Sequence, residues 1–213
     1  MTPDPHPTTG AIRRYSFGDR IVHWSAAITY SYVLATGLAF YSPHLYWIAA
    51  LLGGAPTSRF WHPIIALVFL VTMAWMAKSW TGDMHITAVD RAWGRVMKRY
   101  IENEDESLPP SDRFNLGQKY FFWAMVWGTV GLAVSGAILW FPELIPWNLR
   151  FLRYAGILVH VACALITIGA FIIHVYMGTA MVRGGFTSII RGEVSPAWAK
   201  LHHRLWYERV AGK

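Results

Sequence analysis

The chain has 213 residues, enough for one domain, and 54% of them are apolar while only 15% are charged. Soluble domains carry about 25% charged residues, so this composition argues against a water-soluble globule. The 12 Trp, 10 Tyr and 11 Phe exclude a disordered chain, and the single Cys excludes a disulfide framework or a thiolate metal site. The formal net charge of +7 leaves a basic excess on an apolar body.

Four apolar segments are long enough to cross a membrane, whose core of about 30 Å needs about 20 helical residues. These segments are 21–42, 60–80, 119–140 and 153–181. The first is too long for the core of a signal peptide, and it has no small-residue cleavage pattern. The sequence therefore predicts an all-α fold, a four-helix transmembrane bundle over 21–181 between tails of 1–20 and 182–213.

The basic residues indicate which way this bundle faces. Placing both tails and the 81–118 loop on one side gathers 16 of the 19 Lys and Arg residues there, and the positive-inside rule makes that side the cytoplasm. Both termini are therefore expected in the cytoplasm, with the acidic patch 102–106 in a solvated loop. The basic residues flank helix ends instead of forming an aromatic-interleaved stripe, which argues against nucleic-acid binding. An outer aromatic belt is expected at Tyr41, Tyr46, Trp47, Trp61, Trp140 and Trp147.

Histidines fall into two groups by position. Those in tails and loops are His6, His44, His85, His202 and His203, and those in or at the edge of spans are His23, His62, His160 and His174. An ionisable residue in a span is costly, so the second group consists of candidate functional residues. The alternative is that each is a neutral imidazole that hydrogen-bonds a neighbouring helix.

The membrane histidines are expected at two depths. His160 and His174 are 14 residues apart in the fourth span, close to four turns, so they leave one helix face about 21 Å apart along the axis. The predicted orientation places His160 toward the outer leaflet and His174 toward the inner one. His62 begins the second span on the outer side and His23 begins the first on the inner side. Depth therefore pairs His62 with His160 and His23 with His174.

Two histidine pairs fit two b-type haems, because six-coordinate haem iron takes one imidazole on each face. Zinc needs three or four protein ligands around one point, and each level offers two. No Cys-x-x-Cys-His segment is present, so the haems would be held without a covalent link. Pro63 is expected to place His62 in the first turn of its helix.

Small residues near the histidines predict room for a flat ligand, since they lie one helical turn away on the same face. They are Gly156 and Ala164 around His160, and Ala170 and Gly178 around His174. In the third span, Gly128, Gly131 and Ser135 are expected to serve contact between helices.

Several short segments carry a family resemblance. They are 20–24 (RIVHW), 60–63 (FWHP), 114–119 (FNLGQK), the spacing of His160 and His174, and the tail 198–207 (WAKLHHRLWY). Over nearly the whole chain they resemble the cytochrome b556 gamma subunit of membrane-bound, quinone-reducing formate dehydrogenases. The four histidines alone would also suit cytochrome b subunits of hydrogenase or thiosulfate reductase complexes.

The resemblance implies that His62 and His160 ligate an outer haem b and that His23 and His174 ligate an inner one, the pairs that depth also gives. It implies an iron–sulfur (beta) subunit as partner and, through it, a molybdenum or tungsten pterin (alpha) subunit. It further implies a multi-pass protein of the bacterial inner membrane, within a complex that can form a higher oligomer.

The resemblance also implies a menaquinone site beside the inner haem. Its residues here would be Asn115, Gly117 and Gln118, with His174 next to them. A short polar run at a cytoplasmic helix mouth supplies a donor for a quinone carbonyl and a route for protons. The alternative is that Asn115 caps span three while Lys119 snorkels.

These features predict an electron carrier from an outer iron–sulfur subunit through two haems to menaquinone or ubiquinone on the cytoplasmic side. The chain offers no residues that catalyse formate oxidation, because no pterin site is recognisable and one Cys cannot hold a cluster. A proton or metal transporter is disfavoured, since repeated Asp or Glu partners and paired broken helices are missing from the spans. A purely structural anchor would leave four costly histidines unexplained. His202 and His203 are too few for a diiron histidine box, and the aromatic tail is expected to dock on a partner or the membrane.

Overall fold

The computed structural model describes residues 10–102 and 109–212. His6 and most of the acidic patch 102–106 lie outside these residues. The described chain is mostly helical, which confirms the predicted all-α class. Its helices are α1 (Phe17–Tyr41), α2 (Trp47–Leu51), α3 (Ala55–Trp80), α4 (Ala88–Ile101), α5 (Leu116–Trp140), α6 (Phe151–Tyr176), α7 (Gly185–Arg191), α8 (Pro196–His202) and α9 (Arg204–Ala211). Strands β1 (Ile12–Arg13) and β2 (Glu193–Val194) pair antiparallel.

Each predicted span corresponds to one of the four long helices, α1, α3, α5 and α6, which begin two to five residues earlier than predicted. Three of the described helical stretches are long and apolar enough to cross a membrane: Ala55–Asp83, Leu116–Trp140 and Phe151–Met181. Helix α1 is as long as α5, at 25 residues. Its apolar run is interrupted by Ser, Thr, Tyr and His side chains, which lower its mean hydropathy.

Three helices begin at reciprocal capping boxes, in which a polar residue and the residue three positions later bond each other's backbone N–H. The boxes start α1, α4 and α5, and they pair Ser16 with Asp19, Thr87 with Asp90, and Asn115 with Gln118. Each box satisfies two backbone donors that a helix start would otherwise leave without partners.

Pro63 does not lie in the first turn of its helix, contrary to the prediction. Helix α3 begins at Ala55, so Pro63 and the preceding His62 lie inside the helix. Gly53 and Gly54, with φ of 91° and 93°, make the turn that lets the helix start earlier. Because proline has no N–H, the carbonyl of Arg59 loses its partner four residues on.

The chain divides into two compact units. The helical unit consists of 21–79 and 124–171, and the terminal unit consists of 1–20, 80–123 and 172–213. In the helical unit the buried ring of Tyr30 lies between Phe69 and Phe171, with centroid distances of 5.3 and 5.0 Å. Helix α1 therefore packs against both α3 and α6.

Helices α5 and α6 also pack closely in the helical unit. A Cβ on Gly128 would collide with the methyl group of Thr167, and a Cβ on Gly131 would lie 2.5 Å from Cys163 Sγ. The predicted helix-contact role of these two glycines is confirmed. Gly156 was expected to make room for a ligand, and this was wrong, because its Cβ position lies 3.1 Å from the side chain of Ile138.

The terminal unit is built around a buried arginine. The guanidinium of Arg14, which is 3% exposed, lies 5.1 to 5.9 Å from the centroids of four aromatic rings. These rings belong to Tyr15, Phe114, Trp198 and Trp206. Arg14 Nη2 also lies 3.0 Å from His203 Nε2. Part of the aromatic tail thus packs against its own chain, and docking of the tail on a partner or the membrane stays a prediction.

Candidate haem and quinone sites

His62 on α3 and His160 on α6 both lie in the helical unit. Both imidazoles are half-buried, and they are close enough to interact electrostatically. The two residues of the predicted outer pair therefore lie in one unit, on different helices.

Each of these two imidazoles is held by a hydroxyl group through Nδ1. Thr36 Oγ1 on α1 lies 2.7 Å from His62 Nδ1, and Ser135 Oγ on α5 lies 3.0 Å from His160 Nδ1. The hydroxyl residues are 0% and 2% exposed, so these bonds are shielded from water. With Nδ1 engaged on both rings, Nε2 is the nitrogen of each that points to a ligand.

The donor set fits haem b. Two imidazole Nε2 atoms are what a six-coordinate haem iron takes as axial ligands. A glycine lies beside each ring: the Cβ position of Gly37 is 3.6 Å from His62 Cε1, and that of Gly136 is 3.4 Å from His160 Cε1. A side chain at either glycine would lie against the imidazole ring, beside the Cε1 atom that is bonded to Nε2.

A cavity of about 420 Å³ lies close to His62 in the helical unit. Its lining includes Ala39, Phe40, Tyr46 and Arg59, and the Phe40 ring centroid is 5.6 Å from that of His62. Arg59 gives this cavity a positive charge. A cation at the mouth of an apolar cavity suits a ligand that has an apolar body and carboxylates at its edge.

The inner pair is divided between the two units. His23 lies on α1 in the helical unit, where its ring meets the edge of Trp24. His174 lies on α6 in the terminal unit and stacks on Phe121 of α5, with centroids 4.1 Å apart and planes 5° apart. A Cβ on Gly178, one turn after His174, would meet nothing within 4 Å. The pairing of His23 with His174 remains a prediction from depth.

The predicted quinone segment starts α5 in the terminal unit. Asn115 Oδ1 accepts from the N–H of Gln118 at 3.0 Å, and the Gln118 side chain accepts from the N–H of Asn115 at the same distance. Asn115 is therefore the cap of α5, and its side-chain oxygen is occupied by that role. Phe121 lies on the same helix and stacks on His174, so the His174 ring packs against α5 within its first two turns. Gly117 lies between the capping residues, with its Cβ position 3.5 Å from Asn115 Oδ1.

Lys119 does not snorkel toward solvent, contrary to the alternative considered for it. Its Nζ donates to Asp90 Oδ2 at 2.7 Å and to the carbonyl of His85 at 2.9 Å, and the residue is 3% exposed. Burial alone would raise the pKa of Asp90, but hydrogen bonds from Lys119 and Thr87 outweigh it, and the pKa is lowered. The pair ties α4 to the start of α5.

Sequence reasoning missed Thr36 and assigned Ser135 only to helix contact. The signal was a hydroxyl residue followed by glycine inside an apolar helix, which occurs as Thr36-Gly37 and as Ser135-Gly136. The hydroxyl of each pair contacts the Nδ1 of a histidine, and the glycine lies against Cε1 of the same ring. A search for this dipeptide would have found both.

Comparisons with known proteins show the family of the chain. Residues 14–192 match the prokaryotic cytochrome b561 family. The cytochrome b556(fdo) subunit of formate dehydrogenase from Escherichia coli K12 is 31% identical over 200 residues, which cover 93% of either chain. The nitrate-inducible cytochrome b556(Fdn) subunit of that strain is 30% identical, over 93% of this chain and 91% of its own.

A third relative, the formate dehydrogenase cytochrome b556 subunit of Haemophilus influenzae, is 29% identical over 95% of this chain and 85% of its own. The family match spans residues 14–192 and so covers the four long helices. A membrane cytochrome b of this family uses haem b. The chain belongs to the prokaryotic cytochrome b561 family, and within it to the cytochrome b556 subunits of formate dehydrogenase.

Proposed function

We propose that this chain is the dihaem cytochrome b membrane subunit of a formate dehydrogenase complex. It would carry electrons from an iron–sulfur subunit on the outer side to menaquinone or ubiquinone on the cytoplasmic side of the bacterial inner membrane. The observation that carries the proposal is that His62 and His160 lie in one unit, each held at Nδ1 by a buried hydroxyl. The names of the relatives favour formate dehydrogenase over a hydrogenase or thiosulfate reductase complex.

The proposal includes α1 as a fourth membrane span. Two of its residues contact the helices that are apolar enough to cross a membrane: Thr36 bonds His62 of α3, and Tyr30 packs on Phe171 of α6. A helix that packs against two membrane-spanning helices is expected to lie in the membrane with them. Its Ser and Thr hydroxyls are satisfied by backbone carbonyls of the same helix, as at Thr29 and Ser31, which lowers the cost of placing them in lipid.

Four histidines would hold two haems in this proposal. His62 and His160 ligate the outer one, and His23 and His174 ligate the inner one. The haems supply one-electron redox chemistry when bound. Arg59 lines the cavity near His62 and would offer a positive charge to a haem carboxylate there.

The cytoplasmic end of α5 is proposed as the place where quinone is reduced. Its polar residues are Asn115 and Gln118, and His174 reaches the same helix through Phe121. Moving each electron inward works against the membrane potential by about 2.3 kcal/mol per 100 mV. A strongly reducing donor on the outer side would couple its oxidation to charge separation. Formate oxidation belongs to partner subunits, because a single Cys cannot hold a cluster.

An absorption spectrum of the purified full-length protein tests the proposal. Reduction by dithionite is expected to give the sharp bands of low-spin haem b, and an added quinone analogue should accept electrons from the reduced haems and reoxidise them. A folded, colourless protein would contradict the proposal. It would favour a transporter in which histidines relay protons or metal ions.

A further inference from the structure

The hydroxyls of Thr36 and Ser135 each contact three atoms, a histidine Nδ1 and two carbonyl oxygens of the preceding turn of their own helix. Thr36 Oγ1 lies 2.9 Å from the carbonyl oxygen of Tyr32, and Ser135 Oγ lies 2.6 Å from that of Gly131. Two oxygens this close repel unless a proton lies between them, and a carbonyl has none to give. Each hydroxyl therefore donates its proton to the carbonyl.

This direction of donation fixes the protons on both histidines. A hydroxyl has one proton, so the oxygens of Thr36 and Ser135 can only accept from the rings. Nδ1 of His62 and of His160 consequently carries a proton, and Nε2 carries the lone pair. Both rings are thus preset in the tautomer that ligates iron through Nε2, before any ligand is bound.

We propose that Thr36 and Ser135 are positioning residues that hold His62 and His160 as Nε2 ligands and lower the reduction potential of the outer haem. This assignment rests on the proposed function. An acceptor on Nδ1–H makes the imidazole a stronger electron donor, which stabilises ferric over ferrous iron. A lower potential at the outer haem favours the passage of electrons inward.

The same device occurs on two different helices, α1 and α5. In each, the hydroxyl residue is followed by a glycine, Gly37 or Gly136, whose Cβ position lies within 3.6 Å of Cε1 of the same ring. Cε1 is bonded to Nε2, so the missing side chain keeps space open beside the ligating atom. One dipeptide thus orients each ring and clears the space for its ligand.

The test is a redox titration of both haems in the full-length protein, followed by optical and EPR spectra. Thr36→Val and Ser135→Ala remove the hydroxyls, whereas Thr36→Ser and Ser135→Thr keep them. Matched controls are Thr29→Val and Ser31→Ala, whose hydroxyls also bond carbonyls one turn earlier, at 2.7 and 2.8 Å. Both hydroxyl deletions are expected to raise the midpoint of the haem that His160→Ala removes.

The expected change is about a tenfold loss of preference for ferric iron, which is about 59 mV for one electron, while the conservative and control variants keep the wild-type midpoints. Loss of this haem in Thr36→Val but not in Thr36→Ser supports the same role, since such outer partners affect metal affinity about 10- to 100-fold. This inference is overturned if Thr36→Val and Ser135→Ala bind haem with unchanged midpoints, or if Thr29→Val and Ser31→Ala shift the midpoints equally. The proposed function would survive either result. A wild-type protein that binds no haem overturns the proposed function as well.

Discussion

Lys119 Nζ and Asp90 Oδ2 lie 2.7 Å apart, and their side chains are only 4% and 6% exposed. A buried ion pair of this kind depends on both partners, because either charge left alone in the interior is costly. Asp90 also closes the capping box of α4 by accepting from the N–H of Thr87 at 2.7 Å. The pair therefore links the start of one helix to the start of another within the terminal unit.

Lys119→Met is expected to destabilise the protein by about 3 to 5 kcal/mol, since it leaves the Asp90 charge buried without a partner. The double variant Lys119→Met with Asp90→Asn should recover much of this loss, because the charge is gone and the cap is retained. Lys98→Met is the control, as its pair with Glu102 is exposed and worth at most about 1 kcal/mol. Thermal unfolding in detergent measures all three. Equal losses in the single and double variants would contradict the role given to the buried charge.

His203 is expected to make stability depend on pH. Burial, together with the charge of Arg14, holds the pKa of His203 well below the usual 6.5. The unfolded chain titrates near about 6.5, so below that pH it binds more protons than the folded chain, and stability falls as the pH drops.

The variant His203→Asn does not titrate, so its melting temperature should fall less between about pH 7 and about pH 5.5 than that of the wild type. It can still offer a donor to the carbonyl of Asp112 and an acceptor to Arg14, the two partners of His203. Identical slopes for the wild type and His203→Asn would show that another group is responsible.

Gly128→Ala is expected to destabilise the contact of α5 with α6 by about 1 to 3 kcal/mol, because the new methyl group overlaps Thr167. Thr167→Ser removes the methyl group that is in the way, so the double variant should recover stability. Gly169→Ala on α6 is the control, since a Cβ there meets nothing within 4 Å. The melting temperatures of these variants test the prediction. If Gly128→Ala melted at the wild-type temperature, α5 and α6 would not be packed this closely.

Asn115→Ser separates capping from quinone binding. Serine keeps a side-chain oxygen for the N-cap but removes the amide donors, so quinone reduction should slow while the haem spectrum and stability stay intact. Thr87→Ala is the matched control: it removes the cap of α4, costs about 1 kcal/mol, and should leave quinone kinetics unchanged. An Asn115→Ser protein with wild-type kinetics would assign Asn115 to capping alone.

The sequence was most informative where one physical requirement acts on a long segment. Long apolar runs predicted all four long helices, because a membrane needs about 20 apolar residues in each span. Helix starts were predicted less well, since they depend on capping and turn residues outside the apolar run. Examples are Ser16 before α1 and Gly53 before α3. The interior position of Pro63 was missed for the same reason.

At the candidate site, the histidines were found because their cost in a membrane is high. Thr36 was missed because a hydroxyl in an apolar helix can satisfy itself on its own backbone, so the Thr36-Gly37 dipeptide by itself does not point to His62. The Lys119 to Asp90 pair joins residues 29 positions apart. No local spacing rule predicts such a contact, and only the fold of the terminal unit reveals it.

The central claim is that His62 and His160 serve one haem while His23 and His174 serve another. The most direct test is a potentiometric titration of the haem absorption in the four single histidine-to-alanine variants. Two components are expected in the wild type. His62→Ala and His160→Ala should lose the same component, and His23→Ala and His174→Ala should lose the other. The claim is contradicted if His62→Ala and His160→Ala remove different components, or if both retain two.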